Sequence, residues 1–188
     1  PNTDRDFDLV QMTRDRNGKL VYGRLATDRP HVLKFFGYKT FSTRLGQTDF
    51  GPSFIWQSGT PLSTQVLVVT STPAFAYGRG NLGRTPAFFE ARLTLGHDLN
   101  FKDLQEKKIR LEMTVGNLFN QGTAVDKVTG LIHPNDGHIF FAKTADVFKG
   151  YDPLALMKAQ GLRQNPAYNL PSAFQSPRSM RLALRFTF

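Results

Sequence analysis

Two histidines and a carboxylate fall in one short stretch, His133-Pro134-Asn135-Asp136-Gly137-His138. Imidazole nitrogens and carboxylate oxygens ligate transition metals, so a metal site is conceivable there. Asn-Asp-Gly is first a turn signal, however, and neither a metal nor a cofactor is predicted. A second cluster, Gly78-Arg79-Gly80-Asn81-Leu82-Gly83, has the glycine spacing of a dinucleotide-binding turn. That turn works by presenting a pyrophosphate to a helix N-terminus. Here no helix pattern follows, and Pro86 leads into a strand-like segment instead. No Ser-His-Asp order with a nucleophile elbow occurs, so an enzyme is not predicted. The remaining candidates for ligand contact are Tyr77, Arg79 and Arg84 in one loop, and His133, His138, Phe140 and Phe141 in another.

Both loops hang between segments of alternating character. Side chains alternate across a strand with period two. Met180, Leu182, Leu184, Phe186 and Phe188 share one face of the last segment, opposite Ser179, Arg181, Ala183, Arg185 and Thr187. Four further strands are predicted at residues 31–41, 49–58, 87–99 and 107–119. In the first, Leu33, Phe35 and Phe41 oppose Lys34, Phe36, Tyr38 and Thr40. In the second, Phe50, Phe54 and Trp56 oppose Ser53 and Gln57. In the third, Phe89, Ala91, Leu93, Leu95 and Leu99 oppose Glu90, Arg92, Thr94 and Asp98. In the fourth, Ile109, Leu111, Met113 and Val115 oppose Arg110, Glu112 and Thr114. The connections alternate too: short at 42–47 and 100–106, long at 59–86 and 120–178. A short helix is predicted over 152–160, with Pro153 at its first turn. Strands of about ten residues suffice to cross a bilayer at a tilt. Tight turns at one rim and extended loops at the other describe an up-and-down transmembrane barrel.

An apolar sheet face needs either a covering protein layer or lipid. The chain has 188 residues, enough for one domain with a core. Its mean hydropathy is −0.33. It lacks the run of about 18 apolar residues that a membrane helix needs. Barrel strands escape that criterion, because every second residue is polar. Cysteine is absent, which rules out disulfides and thiolate metal sites. The net charge of +9 is scattered rather than gathered in runs, so no nucleic-acid partner is predicted. Lys34, Glu90, Arg92, Arg110, Glu112, Arg181 and Arg185 are predicted to line a wet lumen. They would form either a ladder of ion pairs or an electropositive wall that steers anionic solutes. Phe41, Phe50, Phe101 and Phe188 are expected at a periplasmic rim, and Trp56, Phe88, Phe89 and Phe119 at the outer one. The chain opens Pro1-Asn2-Thr3 without an initiator Met or a signal peptide, and reads as a piece of a longer protein. Residues 1–30 are expected to be an external loop or the end of a preceding barrel segment.

Several motifs occur in a telling order: Thr27-Asp28-Arg29-Pro30-His31, then Gln57-Ser58-Gly59-Thr60-Pro61-Leu62-Ser63, Gly83-Arg84-Thr85-Pro86, Asn117-Leu118-Phe119-Asn120 and Pro177-Arg178. With a terminal aromatic strand, they resemble the carboxyl-terminal part of a TonB-dependent outer-membrane receptor. The resemblance is to the Oar-like branch, whose members often carry a carboxypeptidase-regulatory-like domain. It implies an all-β fold: an antiparallel barrel segment of about five strands from a larger, plugged barrel of about 22, with two long external loops. It implies residence in the outer membrane of a Gram-negative bacterium, among lipid and lipopolysaccharide. The barrel-assembly machinery would read Phe186 and Phe188 in the last strand. TonB would be met through an amino-terminal region outside this chain. The function implied is uptake of a solute. The alternatives are adhesion or secretion-linked reception in the same membrane, and a soluble all-β module such as a carbohydrate-binding sandwich.

Overall fold

A computed structural model describes residues 14–69, 72–99 and 108–187. In chain order the strands are β1 (Val32–Phe36), β2 (Lys39–Thr43), β3 (Gly46–Gln57), β4 (Val66–Val68), β5 (Thr72–Ala74), β6 (Phe88–Leu99), β7 (Lys108–Gly116), β8 (Ala124–Lys127), β9 (Pro171–Phe174) and β10 (Ser179–Thr187). One helix, α1 (Pro153–Ala159), lies between β8 and β9. The fold is all-β and its sheets are antiparallel. The chain forms two compact units, one holding residues 29–58, 87–123 and 174–188, the other residues up to 28 with 59–86 and 124–173.

The first unit is a six-stranded open sheet in the order β1-β3-β6-β7-β10, with β2 following β1 along the same side of β3. No closure into a barrel is found among the described residues. The third predicted strand matches β6, and the last matches β10 as far as Thr187. The first predicted strand splits in two around Gly37 and Tyr38, although β1 and β2 keep one common register against β3. The cause is Pro52. Gly37 donates to its carbonyl at 2.9 Å, but proline has no N–H to return, and the ladder is interrupted. The turn predicted over 42–47 tightens to Arg44 and Leu45, so β3 begins at Gly46 instead of residue 49. The fourth strand ends at Gly116 rather than 119, because Asn117 adopts a φ of 46° and turns the chain. The short connection predicted at 100–106, with Phe101 and the terminal Phe188, lies outside the described residues.

Strand register sets the faces. Leu33, Phe54, Ala91, Leu93, Met113, Val115, Leu182 and Phe186 belong to one apolar side, joined row by row through the pairings β1–β3, β3–β6, β6–β7 and β7–β10. Among the described residues this side has no covering layer at its outer strands: Leu182 is 72% exposed and Met180 67%. Phe35, Phe54, Phe89 and Phe119 stack across it, with centroids 5.1, 6.2 and 6.2 Å apart. Phe88, expected with them, pairs with Gln57 and so falls on the opposite side. Phe50, expected at a rim, sits in the row of Leu95, Met113 and Leu182, inside the apolar side.

The second unit gives the two long connections a structure of their own. Residues 59–86 and 120–178 are not plain loops. They carry the β4–β5 and β8–β9 pairs, a 3₁₀ turn at Thr144–Lys149 and α1. They also enclose a core of Val66, Val68, Ala74, Ala76, Leu131, Ile132, Ile139 and Met157. Val66, Val68 and Ile139 have no exposed surface at all. Helix α1 falls where predicted: Pro153 opens it and the Asp152 carboxylate caps it, accepting from Leu154 N at 2.9 Å.

Candidate functional site

The polar side of the sheet gathers Lys34, Glu90, Arg92, Arg110, Glu112, Arg181 and Arg185, because every one shares its strand parity. At one end Arg110 is saturated. Its Nη2 donates to Asp49 at 2.7 Å, its Nη1 to Asp98 at 2.9 Å and its Nε to Glu112 at 2.8 Å. Thr40 Oγ1 donates to the other Asp49 oxygen at 2.8 Å, and Arg185 stands 3.8 Å from Glu112. Gly96 makes this crossing possible. A Cβ there would lie 2.4 Å from Arg110 Nη2 and 2.9 Å from its Cζ. Asp98 and Asp49 join the charged residues expected on this side. Their parity was the available signal.

At the other end the cations are less engaged. Arg92 approaches Glu90 only to 3.5 Å. Lys34 and Arg181 make no ion pair or hydrogen bond among the described residues. On the apolar side, Lys39 and Thr43 of β2 interrupt the hydrocarbon, as do Thr48 and His97, whose Oγ1 and Nδ1 lie 2.8 Å apart.

The punctuation motifs lock together. Arg84 ion-pairs with Asp28 and donates to Gly59 O at 2.6 Å, so the first three motifs meet at one guanidinium. That guanidinium holds the Asp28 carboxyl below the usual carboxylate range. Gly59 is required by close approach rather than by an unusual φ: a Cβ would fall 1.7 Å from Thr85 O. Thr85 in turn bonds Thr60 through N→O and Oγ1←N contacts, each of 3.0 Å. Asn117 is almost fully buried and donates to the carbonyls of Gln121 and Ser176 at 2.8 Å, while its Oδ1 accepts from Gln121 N. Asn120 Oδ1 accepts from Arg178 N at 2.9 Å, tying the entry of β10 to the exit of β7.

The loop candidates are dispersed within their unit. Arg79 lies over the Phe75 ring at 4.4 Å, and Arg16 over Tyr77 at 5.1 Å. Burial pushes the Tyr77 hydroxyl up from its ordinary value. Phe141 meets Tyr151 edge-on against the core, and burial pushes Tyr151 up to about 12. Phe140 is exposed, and its backbone exchanges two hydrogen bonds with the Gln160 amide. His138 is half-buried. Asp136 is occupied by Arg163, whose Nη2 and Nε reach it at 2.6 and 3.0 Å and whose backbone N–H adds 2.7 Å. These bonds, led by the side chain's, pull the Asp136 carboxyl down to about 2. His133 Nδ1 stands 3.9 Å from Asp136. No group of three metal-ligating side chains forms among the described residues. The glycines at 78, 80 and 83 serve turns, with φ of 80°, 75° and 77°.

The chain is similar to the TonB-dependent transporter Oar of Myxococcus xanthus, with 28% identity over 205 aligned positions. The alignment takes in all of this chain and 18% of that protein, so the chain spans about a fifth of the relative's length. The likeness supports a relationship to TonB-dependent receptors. No family model matches the chain, and no solved structure matches it.

Proposed function

We propose that this chain is wall and external loops of an outer-membrane transport barrel, the carboxyl-terminal part of a TonB-dependent receptor of the Oar-like branch. The observation that carries the reading is the mostly apolar side of the sheet, in register across its paired strands and exposed at Met180, Leu182, Leu184 and Phe186. A water-soluble sheet buries such a side, and uncovered apolar area on this scale marks a membrane or partner surface. In a barrel that side meets lipid and the opposite one lines a wet lumen. The similarity to Oar agrees with it.

In this reading the chain does no covalent chemistry. Lys34, Glu90, Arg92, Arg110, Glu112, Arg181 and Arg185 line the lumen, and the second unit stands outside the cell as the ligand-facing part. Outer-membrane lipid and lipopolysaccharide surround the wall. The barrel-assembly machinery takes up the last strand, and TonB is engaged by other parts of a longer receptor. The solute taken up is drawn through the lumen. The test is fractionation of the intact protein. An outer-membrane product that needs detergent and shifts its electrophoretic mobility on heating is expected. A monomer free in buffer overturns the proposal. Uptake as opposed to adhesion is decided by growth of a deletion strain on candidate solutes.

A further inference from the structure

A basin on the polar side is lined by Arg92, Thr114, Gly116, Ser179, Met180 and Arg181, with Gly116 at its middle by register. The register explains it. Arg181 pairs with Thr114, Thr114 with Thr94, and Ser179 with Gly116. Carrying the β6–β7 register on by one residue sets Arg92 across from Gly116. Strand spacing and rise put the two arginine Cα atoms about 12 Å apart on either side of Gly116. Long side chains can converge across that span. Gly116 has no Cβ to fill the middle, and one added there would press on Ser179 Oγ at 3.0 Å.

The basin's charge is unspoken for. Arg181 has no anionic or hydrogen-bonding partner among the described residues, and Arg92 has only Glu90 at 3.5 Å. The contrast is Arg110, which three carboxylates saturate on the same side of the sheet. Two guanidinium forks carried on the strands either side of β7, with two hydroxyl donors lining the same basin, offer donors from several directions, which suits a tetrahedral oxyanion better than a planar one.

We infer that this basin is a phosphate-group subsite in the barrel wall, formed by Arg92 and Arg181 over Gly116, with Thr114 and Ser179 as hydroxyl donors. The inference rests on the polar side being the wet one. The chain has no cysteine, so a single thiol reports cleanly. T94C places it in the row beside Thr114, outside the basin.

In the intact receptor in lipid vesicles, with no other cysteine, an anionic methanethiosulfonate should modify the T94C thiol about tenfold faster than a cationic one of similar size. Inorganic phosphate should slow the anionic reagent at lower concentration than acetate does. R181Q and R92Q should each drop the rate ratio toward one and remove the phosphate effect. R181K should keep the ratio, and R110K should leave it unchanged. The heat-shifted band of each variant confirms that it has folded. A ratio near one in the parent, or a ratio indifferent to R92Q and R181Q, overturns the subsite. Failure of both water-borne reagents to reach the thiol, with labelling by a lipid-soluble maleimide, instead overturns the wet-face reading itself.

Discussion

Aliphatic side chains close on one another in the unit built from residues 59–86 and 124–173, and are exposed along the last strand of the sheet. Ile139, Val66 and Val68 are wholly enclosed, whereas Leu182 is 72% exposed. Both regions draw on the same residue types, so hydrophobicity does not separate them. What separates them is periodicity and the available neighbour. A sheet with strict alternation presents one flat apolar side, which a bilayer satisfies. The loop segments carry short apolar pieces without a sustained period, and these satisfy one another by folding into a small core of their own.

The sharpest break in that comparison is a truncation in each region. Ile139→Ala removes a fully enclosed side chain and should destabilise the second unit by about 2–5 kcal/mol. Limited proteolysis of the intact protein should then cut within 59–86 or 124–173, while the sheet stays protected. Loss of both together would mean that the two regions unfold as one. Leu184→Arg tests the other half. If that side faces lipid as proposed, the substitution should cost about 2–4 kcal/mol in urea titrations of the vesicle-bound protein. No cost there would place Leu184 in water.

A smaller effect is expected on the polar side. Arg110→Ala leaves Asp49, Asp98 and Glu112 facing one another, and should lower the unfolding temperature of the sheet by several degrees. Gly96→Ala should reproduce part of that loss, since its Cβ would occupy the guanidinium's place. If Gly96→Ala has no effect while Arg110→Ala does, Arg110 reaches its carboxylates by another route.

The smallest effect is local. The Asp136 carboxyl is lowered to about 2 by Arg163, against an ordinary 3.8. A depressed carboxylate stabilises the fold above its unfolded value and loses that contribution as pH falls toward its folded one. Amide exchange around 133–138 should therefore be pH-independent, after correction for intrinsic rates, above about pH 4 and quicken between about pH 4 and 2. Asp136→Asn should show faster exchange at neutral pH and no such transition.

Much was legible in the residue order alone. Alternation is a local property of extended backbone, so the side to which each residue of β3, β6, β7 and β10 belongs follows from its parity. The seven charged residues expected to line a lumen share one side of the sheet for that reason. Turn chemistry was equally local: Asn117 and Asn120 punctuate the exit of β7 as asparagines tolerant of positive φ. The break between β1 and β2 was not visible in their own residues, because its cause, Pro52, lies on the neighbouring strand.

Residue order alone determined the two-faced strands, their approximate limits and the placing of α1 at its proline. Tertiary structure alone decided who meets whom. Arg110 is 61 positions from Asp49, and only strand register brings them to 2.7 Å. Arg84 reaches Asp28 across 56 positions, which turns separate short motifs into one joint. The buried core of the second unit draws on four distant stretches, around Val66, Leu131, Ile139 and Met157, none apolar enough by itself to announce a core. Alternation is written residue by residue, but partnership depends on where distant backbone passes, and no local pattern carries that distance.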